Sequence, residues 1–79
     1  MRLTELPRGA AAVVDEVENL RAGDAIAKRL RDIGFVKGEP VRIVAHGPFG
    51  AEPVLVQVGY TRFALRRSEA ARVRVALEA

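Results

Sequence analysis

Few side chains in this sequence could do covalent chemistry. His46 is the only histidine, there is no cysteine, and the hydroxyl nucleophiles are Ser68, Thr4 and Thr61. A hydroxyl nucleophile needs a general base within hydrogen-bond reach and a third group to orient that base. Nothing in the spacing ties His46 to any of the three hydroxyls. Metal chemistry meets the same shortage. A facial Fe(II) triad takes two histidines and a carboxylate, and a structural zinc site takes four Cys or His ligands. Asp15, Glu16 and Glu18 lie on a segment that reads as extended, so they alternate faces and do not converge. No metal or cofactor site is expected within one chain. His46 with Glu52, or another carboxylate of the same loop, could share a metal only across a contact between copies. Gly47-Pro48-Phe49-Gly50 lacks the lysine and helix that follow a phosphate-cradling loop. The chain is therefore not expected to be an enzyme.

What the sequence does supply is arginine. Eleven of the thirteen basic residues are Arg, which keeps its charge and presents a planar fork of donors. Residues 1–56 hold eight basic and eight acidic side chains and cancel. The net +3 thus sits in residues 57–79, where Arg62, Arg66, Arg67, Arg72 and Arg74 face only Glu69 and Glu78. Two readings fit: a solvated strand face with stray ion pairs, or a basic docking face for an acidic partner or headgroup surface. Arg66 and Arg67 are adjacent, so on a strand only one of them can share the outer face with Arg62. Arg72 and Arg74 would share a face with each other. Tyr60 follows Gly59 at a hairpin tip, where its ring could anchor a partner or cap the fold.

Seventy-nine residues, 49% hydrophobic and 29% charged, make one small globular domain, spanning 1–79. No stretch approaches the roughly 18 apolar residues of a membrane-crossing helix. Arg2, Glu5 and Arg8 interrupt any signal-peptide core. A soluble cytoplasmic domain without membrane insertion is the expectation.

The elements that position these residues follow from hydrophobic period. Ala12–Val17 reads as a strand with Val13 and Val17 on one face. Asp24 caps a helix over 24–33 in which Ile26, Leu30 and Ile33 form one apolar stripe. Gly34 suits the helix stop, and Phe35 can fold back onto the last turn. After Gly38 the period becomes two: Val41 and Ile43, then Val54, Val56 and Val58, then Phe63 and Leu65, then Val73 and Val75. Turn residues bound each run: His46-Gly47-Pro48-Phe49-Gly50, Gly59 and Ser68. Ser68 is placed to cap a single helical turn, Glu69-Ala70-Ala71. The fold class is thus mainly β, a small SH3-like or OB-like barrel of about five strands closed by one helix. Closure would remove the sheet's exposed edges. So few strands enclose only side chains, so function belongs to loops and outer faces.

The stretch Arg29-Leu30-Arg31-Asp32-Ile33-Gly34-Phe35-Val36-Lys37-Gly38 resembles the helix-to-strand passage of the FeoA family, bacterial ferrous iron transport protein A. The run from Phe63 through Leu65, Arg66, Arg67, Glu69 and Ala70 to Val75 is similar to that family's closing strand, turn and strand. Leu3-x-x-Leu6-x-x-Gly9 and the loop from Pro48 to Pro53 fit as well, and the likeness covers nearly the whole chain. It implies an SH3-like barrel that acts in the cytoplasm as an accessory or regulatory partner of FeoB, a membrane ferrous iron transporter with a GTP-binding domain. Residue by residue, Gly34 and Gly38 read as a helix stop and a turn, and Phe35, Leu65 and Ala70 as packing. Partner contact would then fall to Arg62, Arg66, Arg67 and Tyr60. An arginine offered to a partner's nucleotide would come from the same set, although a generic basic face explains those residues equally. A homodimer is compatible with the sequence. The alternative function is a nucleic-acid-binding small barrel, which the sequence pI of about 10.2 favours. Against it, such barrels stack bases on aromatics, and this chain offers only Phe35, Phe49, Phe63 and Tyr60, at least two of them expected inside. No nucleic-acid partner is expected.

Overall fold

The computed structural model describes residues 1–50 and 52–78. A 3-10 turn at Leu3–Glu5 precedes β1 (Ala12–Val17), α1 (Ala25–Asp32), β2 (Pro40–Phe49), β3 (Glu52–Val58), β4 (Thr61–Leu65), α2 (Arg67–Ala70) and β5 (Val73–Leu77). The strands form one antiparallel sheet in the order β4-β3-β2-β1-β5. Every strand contributes its inner side chains to a single hydrophobic cluster, so the sheet curls around one core.

The helix stands where its punctuation places it. The Asp24 carboxylate accepts from the N–H groups of Ile26 and Ala27 at 3.1 and 3.2 Å. At the other end the Phe35 N–H donates to the Leu30 carbonyl at 3.0 Å and the Gly34 N–H to Arg31 at 3.2 Å. Those two bonds satisfy carbonyls that the helix leaves open, and they require the positive φ of 126° found at Gly34. Ala27 and Leu30 are buried, with Ile26 and Ile33 packed at the rim of the core. Phe35 is fully buried, its ring 6.3 Å from that of Phe63. Gly38 turns the chain into β2, its N–H donating to the Val14 carbonyl.

The alternation expected for β2 to β5 is present. Val41, Ile43, Val54, Val56, Val58, Leu65, Val73 and Val75 are buried, and Phe63 is partly buried. Four expectations need correction. In β1 the inward residues are Ala12, Val14 and Val17, because a bulge between Val14 and Glu16 adds a residue and shifts the phase. The segment from His46 to Phe49 is not a bounding loop. It continues β2, pairing as far as Phe49 opposite Glu52. Gly47 permits this: a Cβ there would lie 2.2 Å from the Glu52 carbonyl oxygen. The second helical turn starts at Arg67 with Arg66, not Ser68, as its cap residue. The Glu69 carboxylate reaches back to accept from the Arg66 N–H at 2.8 Å.

The fourth correction concerns the edges, which are covered rather than joined. Among the described residues no ladder connects β4 to β5. Residue Met1 lies along β5, where the Val75 N–H donates to the Met1 carbonyl at 2.8 Å. Beside β4, Ile26, Arg29 and Leu30 of α1 and the following Ile33 line a narrow crevice with Phe63, Ala64 and Leu65. Covering an edge hinders stray pairing, whereas closure would remove the edge altogether.

Candidate protein-interaction face

The arginines of the last segment divide into three groups. Arg72 is buried at 4% exposure and does not share a solvent face with Arg74. It sits in the turn before β5, so strand alternation does not govern it. Its Nε donates to Asp24 Oδ2 at 2.9 Å and its Nη1 to the Ser68 carbonyl at 2.7 Å. Asp24 Oδ2 also accepts from the Leu20 N–H at 2.9 Å. The Leu20 amide first, then the Arg72 side chain and the Ala27 amide, hold the Asp24 carboxyl well below the ordinary carboxylate range and outweigh desolvation. One buried carboxylate thereby ties the start of α1 to the entry of β5.

Arg74 is half-buried and lies 3.8 Å from Glu18, which also pairs with Arg2. That leaves Arg62, Arg66 and Arg67, all exposed and outside the ion pairs among the described residues. Arg66 and Arg67 do not take opposite faces of a strand, since β4 ends at Leu65 and both project from the start of α2. The Arg67 N–H donates to Glu52 at 2.8 Å.

Tyr60 is fully exposed at the tip of the two-residue turn between β3 and β4. It does not cap the core. Beside it an open groove is lined by Ile33, Val36, Pro40, Val58 and Thr61, with Glu39 at the edge. The structure therefore brings Tyr60 and Arg62 together and places Arg66 and Arg67 at the far end of β4, about 14 Å along the strand.

Three further residues join Arg62. Arg42, Gln57 and Arg62 lie opposite one another in a single row across β2, β3 and β4. Arg62 Nε and Arg42 Nη2 both donate to Gln57 Oε1, at 3.3 and 3.4 Å. Arg8 reaches the next part of the same face, with its Nε donating to the Val44 carbonyl at 3.1 Å. Sequence reading missed this set. The short Gly59-Tyr60 turn does fix Gln57 opposite Arg62. The bulge in β2 hides the register of Arg42.

His46 is exposed and stands opposite Val54 on the long β2–β3 ribbon, while Thr61 pairs with Val58. Four residues of β3 therefore separate histidine from hydroxyl, again about 14 Å. Among the described residues no three His, Cys, Asp or Glu side chains come together to hold a metal ion. No helix among them is long and apolar enough to cross a membrane.

A family model for the FeoA domain matches residues 1–77. The chain belongs to the FeoA family. Solved FeoA structures share its fold. The Stenotrophomonas maltophilia FeoA, crystallised with zinc, is 66% identical with a TM-score of 0.89 over 96% of this chain and 89% of that one. It is described as a procaryotic SH3 domain protein and a candidate activating factor of bacterial ferrous iron transport. The Chlorobium tepidum FeoA is 32% identical, with a TM-score of 0.84 over all of this chain and 71% of that one. The iron(II) transport protein A of Clostridium thermocellum is 28% identical, with a TM-score of 0.83 over 98% of this chain and 45% of the other. No curated protein sequence matches at a significant level. The five-stranded antiparallel sheet with its capping helix is thus the SH3-like FeoA fold.

Proposed function

We propose that this FeoA domain is a non-enzymatic accessory of bacterial ferrous iron uptake that works in the cytoplasm by binding the FeoB-type transporter. The observation that carries the reading is a fully exposed Tyr60 on the same hairpin as Arg62, which is exposed and outside the ion pairs among the described residues. An aromatic ring that packs against nothing in its own chain, beside an arginine, has the composition of a binding hot spot. The separation of His46 from Thr61, the one hydroxyl on β4, supports a binding role over catalysis. Arg66 and Arg67 extend the basic contact around the start of α2.

The test is co-purification of the transporter with tagged wild-type protein and with Tyr60→Ala. The ring makes no intramolecular packing, so the variant keeps the wild-type circular dichroism and Tm within error. Loss of a hot-spot side chain costs about 1.4–2.8 kcal/mol, a 10- to 100-fold weaker complex. Unchanged recovery of the transporter with Tyr60→Ala and with the double variant Arg66→Glu/Arg67→Glu would rule out this contact face, and failure of the wild-type protein to recover the transporter would sink the assignment.

A further inference from the structure

Beyond the basic segment visible in the sequence, the outer face of β2, β3 and β4 carries an arginine clamp whose two guanidiniums have no ion-pair partner among the described residues. Arg42 and Arg62 converge on one atom, Gln57 Oε1, while Gln57 Nε2 is anchored on the Gly59 carbonyl at 3.2 Å. Two like charges are thus drawn together by a single neutral acceptor. Each guanidinium keeps further donors free, since an arginine has five. Arg8 and Arg42 line one shallow depression next to this row. None of the three is in an ion pair among the described residues. Two acids flank the clamp: Glu78 borders the depression that Arg42 and Gln57 line, and the Glu39 carboxylate lies against Gly59. The adjacent cross-strand row is Ala45, Leu55 and Ala64, all apolar.

We infer that Arg42 and Arg62, oriented by Gln57 and supplemented by Arg8, form a carboxylate clamp for an acidic segment of a partner protein. Such a segment would place an acidic side chain across the two guanidiniums and lie over Leu55. Carboxylate pairs well with two converging forks. The face is open, and the amides of its central strand, β3, are used in ladders on both sides. It therefore lacks the backbone N–H nest that usually holds a free phosphate. It also lacks an aromatic within the row on which a base could stack. The inference deepens the interaction reading and rests on it for the identity of the partner.

The experiment is an NMR titration of the full chain with hexaglutamate, inorganic phosphate and decathymidylate, at low and at physiological salt. Hexaglutamate should give saturable shifts at Arg42, Gln57 and Arg62 that weaken as salt is raised. Arg42→Gln and Arg62→Gln, both at exposed positions, should each weaken that binding by about fivefold or more. Phosphate as strong as hexaglutamate, tighter binding of decathymidylate, or unchanged affinity in both variants would overturn the clamp. Co-purification separates this from the broader reading. If Arg42→Gln/Arg62→Gln loses hexaglutamate but recovers the transporter fully, the clamp is not the transporter contact, and the interaction reading survives on Tyr60. If the clamp binds hexaglutamate and no form of the protein recovers the transporter, the reading fails and the clamp stands.

Discussion

Two glycines show how differently the same residue type can be required. Gly47 lies where β3 begins against β2, and a methyl group there would meet the Glu52 carbonyl at 2.2 Å. Gly34 has room, its added Cβ meeting only Val58 at 3.9 Å, but its φ of 126° is one that L residues rarely adopt. The consequences of Gly→Ala should therefore differ in kind. Gly34→Ala keeps every contact and costs about 1–3 kcal/mol of backbone strain, which in a domain of this size lowers Tm by roughly 4–8 °C per kcal/mol. Gly47→Ala forces the ribbon strands apart, so the cross-strand contact between Phe49 and Glu52 disappears while the core signals remain. Thermal melts with NMR contacts for both variants check this. A Gly47→Ala protein that retains the Phe49–Glu52 pairing contradicts it. The exposed arginines follow a similar logic. Arg62, Arg66, Arg67 and Arg72 look alike as letters, yet only neighbours in space decide that Arg72 is an internal strut and Arg62 a surface donor.

At the scale of elements, that strut predicts a pH response. Asp24 is held ionised by the Leu20 and Ala27 amides and by Arg72. A carboxylate with a folded pKa below its unfolded value, about 3.9, contributes stability that is complete above that value. The contribution is lost as pH falls toward the folded pKa. Tm should thus be level from neutrality to about pH 5 and fall below about pH 4. Asp24→Asn should lower the neutral Tm and flatten that acid-side slope. If Asp24→Asn melts with the same slope between pH 4 and pH 2, this pair does not govern the acid limb. The joint also marks where reading the sequence stops. Asp24 as a helix cap, the stop at Gly34, the buried Phe35 and the alternating valines are all encoded within a few residues and were legible. The Asp24–Arg72 pair spans 48 residues with no local signal. The same holds for bulges, which change the phase in β1 and hide the register that brings Arg42 to Gln57. Tyr60 could be placed at a hairpin tip and Arg62 just after it, because one two-residue turn sets their positions, while the sequence left open whether the Tyr60 ring turned outward or capped the fold. Their companions Arg42 and Arg8 come from elements whose register depends on the whole sheet.

At the scale of the molecule, the radius of gyration is 11.4 Å and the interior is filled by the one core, so anything the protein binds it binds outside. That bears on metal. The zinc of the Stenotrophomonas maltophilia structure belongs to that protein, and a site in this chain must be argued from its own donors. His46 is the only histidine, and there is no cysteine to join it. Glu52, one strand away on the same ribbon, already accepts from the Arg67 N–H. One imidazole and one partly engaged carboxylate fall short of the three or four ligands a tightly held zinc or ferrous ion takes. A second copy contributing its own ribbon would double the donors. Dialysed protein should accordingly retain well under one equivalent of added zinc at dilutions where sedimentation finds a monomer. Retention should rise only where a dimer forms, and His46→Ala should abolish it. A full equivalent held by the monomer, unaffected by His46→Ala, would show that ligands outside this ribbon suffice. The core-filled architecture would then hold a site that no cluster of its described side chains provides.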